Sequence, residues 1–288
     1  MGVASDSPAD VWAVGIRGDV TQRHARTLIE HWSGSIWRVV PSPNPARSFS
    51  SAILTSVSAR SSKDAWAAGY YVDGGEIDRT LIEHWNGSYW RIVPSPNAAG
   101  SQTGSVLAGI SATPDGGAWA VGFYTKSPAT WSLIERWDGQ RWRIVPSPDA
   151  GQSGLEAVTA SSPAGTWAVG WSHHGTSNRP EIARWTGRSW HLVQSPDPGS
   201  HRFAELVGVT STPTRALAVG FYQGRTTLQA MALAWNGIDW SVVPIRGLAG
   251  PRGAGFNLAS ASGLAFGRPW IVGFWYTGLA QQAIAVRG

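Results

Sequence analysis

Two glutamates and three of the seven histidines are position-specific residues of this chain whose types could move protons between a ligand and the protein. Glu156 and Glu205 stand near the starts of corresponding segments, with His173-His174 between them and His201 just before Glu205. Glycoside cleavage needs only a pair of carboxyl groups, one protonating the leaving oxygen and the other acting as base or nucleophile. Elimination from a sugar needs the same kinds of group, and histidine can take either role. Glu156, Glu205, His173 and His201 are therefore the candidate catalytic residues. No motif surrounds them, and glutamates on loops are most often simply solvated. His173 and His174 are adjacent, whereas zinc needs three or four ligands spaced to converge, so no metal is expected. The chain has no cysteine, which removes thiolate nucleophiles and disulfides. No Gly-x-Gly-x-x-Gly, Walker-type loop or Gly-x-Ser-x-Gly elbow is present, and no cofactor is expected.

The elements that must position these residues announce themselves by repetition. Trp12-Ala13-Val14-Gly15 returns as Trp66-Ala67-Ala68-Gly69, Trp119 to Gly122, Trp167 to Gly170, Leu217 to Gly220 and Trp270 to Gly273. A second phrase, Glu30-His31-Trp32-Ser33-Gly34-Ser35-Ile36-Trp37, has counterparts ending at Trp90, Trp142, Trp190 and Trp240. A period of about fifty residues built from short alternating apolar runs is a propeller signature, since one small sheet cannot bury both of its faces alone. The second period reads as strands over Thr55–Ala59, Ala65–Tyr71, Thr80–Trp85 and Tyr89–Val93, with Asn86-Gly87 supplying the positive φ of a hairpin turn. The expectation is one all-β domain over residues 1–288, a six-bladed propeller of four-stranded antiparallel blades. Its blades fall near 1–50, 51–104, 105–153, 154–203, 204–255 and 256–288, the last incomplete because nothing remains for a fourth strand. The Ser/Thr-rich segments with Ser56, Ser58, Ser111, Thr159, Thr210 and Ser260 are expected innermost.

Sorting by repeat position also separates scaffold from site among the eighteen tryptophans. Trp12, Trp66, Trp119, Trp167 and Trp270 are anchors, and five pairs from Trp32/Trp37 to Trp235/Trp240 flank the hairpin turns. A ring required in every blade is inter-blade packing. Trp131, Trp171 and Trp275 fall outside that scheme. His31 and His84 share one repeat slot, and Glu30, Glu83 and Glu135 share another, so both sets read as scaffold. Two residues beyond each anchor glycine stand Arg17, Tyr71, Tyr124, Ser172, Tyr222 and Trp275. Strand alternation turns these away from the bulky residues just before them, toward the loop face where propellers vary. Arg17, Tyr71, Tyr124, Tyr222, Arg225 and Trp275 are the candidate ligand-binding residues.

The order apolar strand, glycine, variable loop, strand, turn, tryptophan and Pro-rich exit resembles, over the whole chain, the kelch repeat of galactose-oxidase-type propellers. It has one glycine after the second strand, as at Gly15 and Gly69, where kelch usually has two. It is also similar to Trp-rich propeller repeats of uncharacterised soil-bacterial proteins. The phrase Trp85-Asn86-Gly87-Ser88-Tyr89-Trp90 resembles, more narrowly, the repeats of fucose-binding propeller lectins, in which Trp, Glu and Arg hold the sugar. The copper-radical chemistry of the kelch-like oxidases depends on a tyrosine crosslinked to cysteine, which this chain cannot form.

The formal charge of +5 raises the question of nucleic acid. Arg38, Arg91 and Arg143 occupy one repeat slot, and Arg136 and Arg184 another, which spreads charge around a perimeter instead of along a groove. No specific nucleic-acid partner is expected. No apolar run reaches membrane-span length, and residues 1–10 lack the charged start and apolar stretch of a secretory signal. A cysteine-free, Trp-rich propeller suits an extracellular setting as well as an interior one. The reading is a monomeric binding propeller that takes a carbohydrate or an extended protein segment at its loop face. The alternative is a metal-independent hydrolase or lyase working through the Glu and His candidates. One asymmetric polar cluster with shifted pKa values would favour the second.

Overall fold

A computed structural model describes the chain except for residues 19–24, 46–48, 99–102, 149–150, 163–164, 198–202, 252, 264–268, 279 and 288. Among the described residues there are strands and turns and no helical element. The strands form six separate sheets, five of four strands and one of three, each strand antiparallel to its neighbour. The fold is a six-bladed β-propeller with a three-stranded last blade, as the phased anchors predict. It divides into two compact units, Met1–Ser147 and Pro148–Gly288, holding three blades each.

In the first unit, blade 1 is β1 (Gly2–Ser7), β2 (Asp10–Arg17), β3 (Arg26–Trp32) and β4 (Trp37–Val40). Blade 2 is β5 (Phe49–Ser61), β6 (Asp64–Asp73), β7 (Asp78–Trp85) and β8 (Trp90–Ile92). Blade 3 is β9 (Gly104–Ala112), β10 (Ala118–Lys126), β11 (Ala129–Trp137) and β12 (Trp142–Ile144). In the second unit, blade 4 is β13 (Ser153–Ala160), β14 (Thr166–His174), β15 (Ser177–Trp185) and β16 (Trp190–Val193). Blade 5 is β17 (Ala204–Ser211), β18 (Ala216–Gln223), β19 (Leu228–Trp235) and β20 (Trp240–Val242), and blade 6 is β21 (Gly255–Ser262), β22 (Trp270–Thr277) and β23 (Ala280–Arg287). β5 begins upstream of the Thr55 that the Ser/Thr pattern marks, because Phe49 to Ile53 continue the ladder against Tyr70 to Asp73. In blades 1 to 3 the fourth strand is short because Val-Pro-Ser-Pro follows, and proline cannot donate to a ladder.

Within each unit the first strands of successive blades lie side by side. Their hydroxyls join them: the amides of Ile110 and Ala112 donate to Ser56 Oγ at 3.2 Å and Ser58 Oγ at 3.0 Å, and Thr159 bonds Ser211 at 3.2 Å. This is why the innermost strands are rich in Ser and Thr where an ordinary core strand would be aliphatic.

The blades are fastened through tryptophan. Trp12 meets Trp85 and Trp90 of the next blade at 4.9 and 5.2 Å, Trp66 meets Trp137 and Trp142 at 5.1 and 5.3 Å, and Trp167 meets Trp235 and Trp240 at 5.0 and 5.2 Å. The blade's own third strand covers the other side. His31 and His84 each lie 4.1 Å from their anchor ring, and Arg184 lies 5.0 Å over Trp167. His31 and His84 are fixed in turn by Asp10 at 2.6 Å and Asp64 at 2.8 Å, which gives these histidines the scaffold role expected from their shared slot. The seam of blades 5 and 6 is built differently. Leu217 replaces the anchor ring, blade 6 brings no tryptophan pair, and Val243, Ile245 and Leu248 of the preceding loop pack there against Leu258 and Ile271.

Glu83 and Glu135 are wholly buried in such seams. Burial pushes Glu83 up to about 8, opposed by the Ser42 hydroxyl 3.1 Å away, and drives Glu135 well above the ordinary carboxylate value. Both carboxyls are held toward the neutral form by their burial, which their shared slot does not reveal.

Candidate functional site

Each complete first strand after blade 1 carries a β-bulge at the same point, opposite the anchor glycine. The extra residue is Thr55, Ala108, Glu156, Val207 or Ala259. Bulges re-aim a side chain out of the ladder. In blade 2 the bulged Thr55 shows where this one points, donating its hydroxyl to Leu107 O on the next blade at 2.8 Å. Blade 4 puts a carboxylate in that slot. Glu156 is thus directed at blade 5, whose first strand presents Glu205 opposite Phe221.

The two glutamates, both half-buried, share an environment. Burial and then the negative charge of Glu156 push Glu205 up to about 7. Burial also raises Glu156, while a hydrogen bond from the Trp171 side chain favours its ionised form. Both carboxyls are therefore harder to ionise than an ordinary glutamate, and each disfavours the charge of the other. The register places Trp171 there. It pairs with Gly154, and a Cβ on Gly154 would lie 3.0 Å from the indole ring. The corresponding slots in other blades hold Ile53, Val106 and Asn257. Gly154, Glu156, Trp171 and Glu205 thus form one asymmetric cluster in the second unit, set on rigid strands.

His173 does not join it. His173 is exposed at the end of β14, bonded to Asn178 at 2.9 Å, and His201 lies outside the described residues. The aromatic candidates are half-buried. Tyr71 packs into the seam of blades 1 and 2, and Tyr124 stacks on Trp131 at 5.5 Å in the seam of blades 2 and 3. Tyr222 packs at the seam of blades 4 and 5. It also lines a cavity of about 530 Å³ with Gln229, Met231, Pro244 and Phe256. Trp275 stands opposite Phe256 in the ladder. Tyr222 pairs with Ala204, one step along from Glu205. Arg17 and Arg225 are exposed. Among the described residues no group of three or more His, Asp or Glu side chains could hold a metal ion, and no helix is long and apolar enough to cross a membrane.

Sequence reasoning found the two glutamates but not their supports. Gly154 and Trp171 carried a signal in departing from their repeat slots together, although the residue after an anchor glycine is bulky in every blade.

No protein-family model matches this chain, and no curated protein does. Solved β-propeller structures do. An ulvan lyase, described as a polysaccharide lyase, superposes with a TM-score of 0.65 at 9% identity over 97% of this chain and 76% of its own. A protein of unknown function from Dyadobacter fermentans gives 0.61 at 12% over 99% and 92%. The Aleuria aurantia lectin in complex with alpha-methyl-L-fucoside gives 0.51 at 12% over 99% and 94%. At such identities the likeness establishes the propeller fold and nothing finer.

Proposed function

We propose that this propeller binds a carbohydrate at the inner strands of blades 4 and 5, with Glu156, Glu205 and the Trp171 indole as the polar centre. The observation that carries this reading is the bulged Glu156 directed at Glu205, a pairing found in this position of the repeat and explained by no scaffold role. Two neighbouring carboxyls, of which Glu205 is pushed up to about 7, offer acceptor oxygens beside a hydroxyl donor when Glu205 is protonated. Neighbouring sugar hydroxyls, each both donor and acceptor, match that arrangement. Tyr222, on the cavity beside β17, supplies apolar contact. A lectin carrying a fucoside and a polysaccharide lyase on similar propellers are consistent with sugar recognition, and they leave open whether binding is followed by cleavage.

One observation favours a second reading. Burial and the neighbouring Glu156 push Glu205 up to about 7, and a carboxyl acid beside a second carboxyl group is what hydrolysis or elimination requires. A glycan array followed by incubation of the bound oligosaccharides separates the two. Binding that disappears in Glu156→Gln, with the oligosaccharide recovered intact, supports the first reading, and product formation abolished by Glu205→Gln transfers the protein to the enzymes. Absence of any glycan bound or cleaved contradicts both.

A further inference from the structure

The chain leaves blades 1 and 2 by the same device, and blade 5 departs from it. In the exit segment of blade 1 the Asn44 side chain accepts from the Thr27 amide at 3.3 Å. In that of blade 2 the Asn97 side chain accepts from the Thr80 amide at 2.9 Å. Thr27 and Thr80 hold one repeat slot, opposite Ile16 and Tyr70, on an edge that the short fourth strand leaves unpaired. Ser42 and Ser95 complete the latch, donating their hydroxyls to Thr27 Oγ1 and Thr80 Oγ1 at 2.7 and 2.8 Å. Blade 4 needs no such cap, because its slot opposite Trp171 holds Pro180, which has no N–H.

Blade 5 keeps the N–H and loses the cap. Ala230 holds the slot, opposite Phe221, and the exit reads Val243-Pro244-Ile245-Arg246-Gly247. Isoleucine stands in the place of the serine and glycine in that of the asparagine. Backbone groups alternate sides along a strand, and the neighbours of Ala230 show which way its amide points. On the same edge the Leu228 amide donates to Tyr276 Oη at 3.4 Å, and Ala232 O accepts from the Val243 amide at 2.9 Å. The Ala230 amide therefore points out of the ladder, and among the described residues no side chain accepts from it. Beside it lies the cavity of about 530 Å³, which Ala230 lines together with Met231, Pro244, Ile245, Leu248 and Phe256. All the walls of this cavity belong to the second unit. An apolar hollow with one aimed polar group has the make-up of a small-molecule site.

We propose that this cavity binds a small apolar molecule carrying an amide carbonyl, whose oxygen accepts from the Ala230 N–H as the side chains of Asn44 and Asn97 accept in their own blades. Those two blades specify the acceptor, a carboxamide oxygen, and the cavity walls specify an apolar body. The site uses neither Glu156 nor Glu205 and shares only Tyr222 with the sugar reading, so either can fail without the other.

NMR titration of the isotope-labelled protein tests this, with acetanilide, a phenyl ring bearing an acetamide, beside propylbenzene, which has the ring and no acceptor. Acetanilide should bind wild type, move the Ala230 amide proton downfield and slow its exchange with solvent. Ala230→Pro deletes the donor in a slot where Pro180 shows that a blade accepts proline. It should weaken acetanilide about tenfold and change propylbenzene by no more than about twofold. Leu248→Trp, which fills the hollow and keeps the N–H, should weaken both. If Ala230→Pro does not fold, the wild-type Ala230 resonance and Leu248→Trp decide the matter. Acetanilide that does not bind, or that binds without moving the Ala230 amide, overturns the proposal. So does an Ala230→Pro variant that binds acetanilide as wild type does, or one that folds and loses both ligands alike.

Discussion

Trp167→Ala and Trp270→Ala, two anchors of the same unit at equivalent repeat positions, should differ in cost because one is buried and the other is not. Trp167 is 1% exposed, with Trp235 and Trp240 at 5.0 and 5.2 Å and Arg184 over its face. A buried indole removes roughly 200 Å² from water, worth about 5 kcal/mol at 25 cal/mol per Å². Measured truncations of buried aromatics fall at about 3–5 kcal/mol. The cavity left by Trp167→Ala cannot collapse readily, because both facing tryptophans are held by the hairpin of blade 5. Trp270 has half its surface already in water, so its loss should cost about half as much or less, roughly 1–2 kcal/mol. For a chain of this size each kcal/mol moves the melting point by about 2–4 °C. Calorimetry in dilute solution should therefore show Trp167→Ala lower than wild type by about 8–15 °C and Trp270→Ala by about 2–6 °C. Equal shifts, or a larger one for Trp270→Ala, would refute the idea that the anchor acts through the tryptophan pair of the next blade.

Stability should depend on pH through the buried glutamates. Glu83 has a folded pKa raised to about 8 from an ordinary 4.5, so the folded state keeps a proton that the unfolded chain releases. Its stabilising effect is whole below about 4.5, and stability then declines by up to about 1.4 kcal/mol per pH unit until about 8. Glu135 shifts in the same direction and steepens the fall. Urea midpoints measured from pH 4 to 9 should show this, and Glu83→Gln, which still accepts from Ser42, should flatten the curve and stabilise the protein at pH 8. A profile unchanged by Glu83→Gln would contradict the assignment. Gly154→Ala should displace the Trp171 ring for about 1–3 kcal/mol of overpacking and remove glycan binding, whereas Trp171→Phe, which keeps a ring and deletes the donor, should weaken binding with little change in melting temperature.

The scaffold was legible in the chain because each of its parts is repeated. Anchors, hairpin glycines and Pro-rich exits recur in phase, so blade number, strand order and the missing last strand follow from counting. The seam role of His31 and His84 was readable for the same reason. The site was legible only as two isolated glutamates, since what joins them is a bulge, and a bulge leaves no mark in a list of residue types. Nor does the sequence say that Tyr71, Tyr124 and Tyr222 turn into the seams between blades. Alternation fixes which side of a strand they occupy, but that side faces a neighbouring blade.

The central claim, that the neighbouring carboxyls of Glu156 and Glu205 recognise a sugar, is tested most directly by the pH dependence of glycan affinity in wild type and Glu205→Gln. With Glu205 titrating at about 7, wild-type affinity should hold below neutrality and fall as the donor is lost above it. Glu205→Gln keeps a donor at every pH, so its affinity should be flat from pH 6 to 9. The Glu156→Gln variant should bind poorly throughout. A wild-type affinity that does not change across neutrality, or a Glu205→Gln profile that falls as wild type does, would contradict the account.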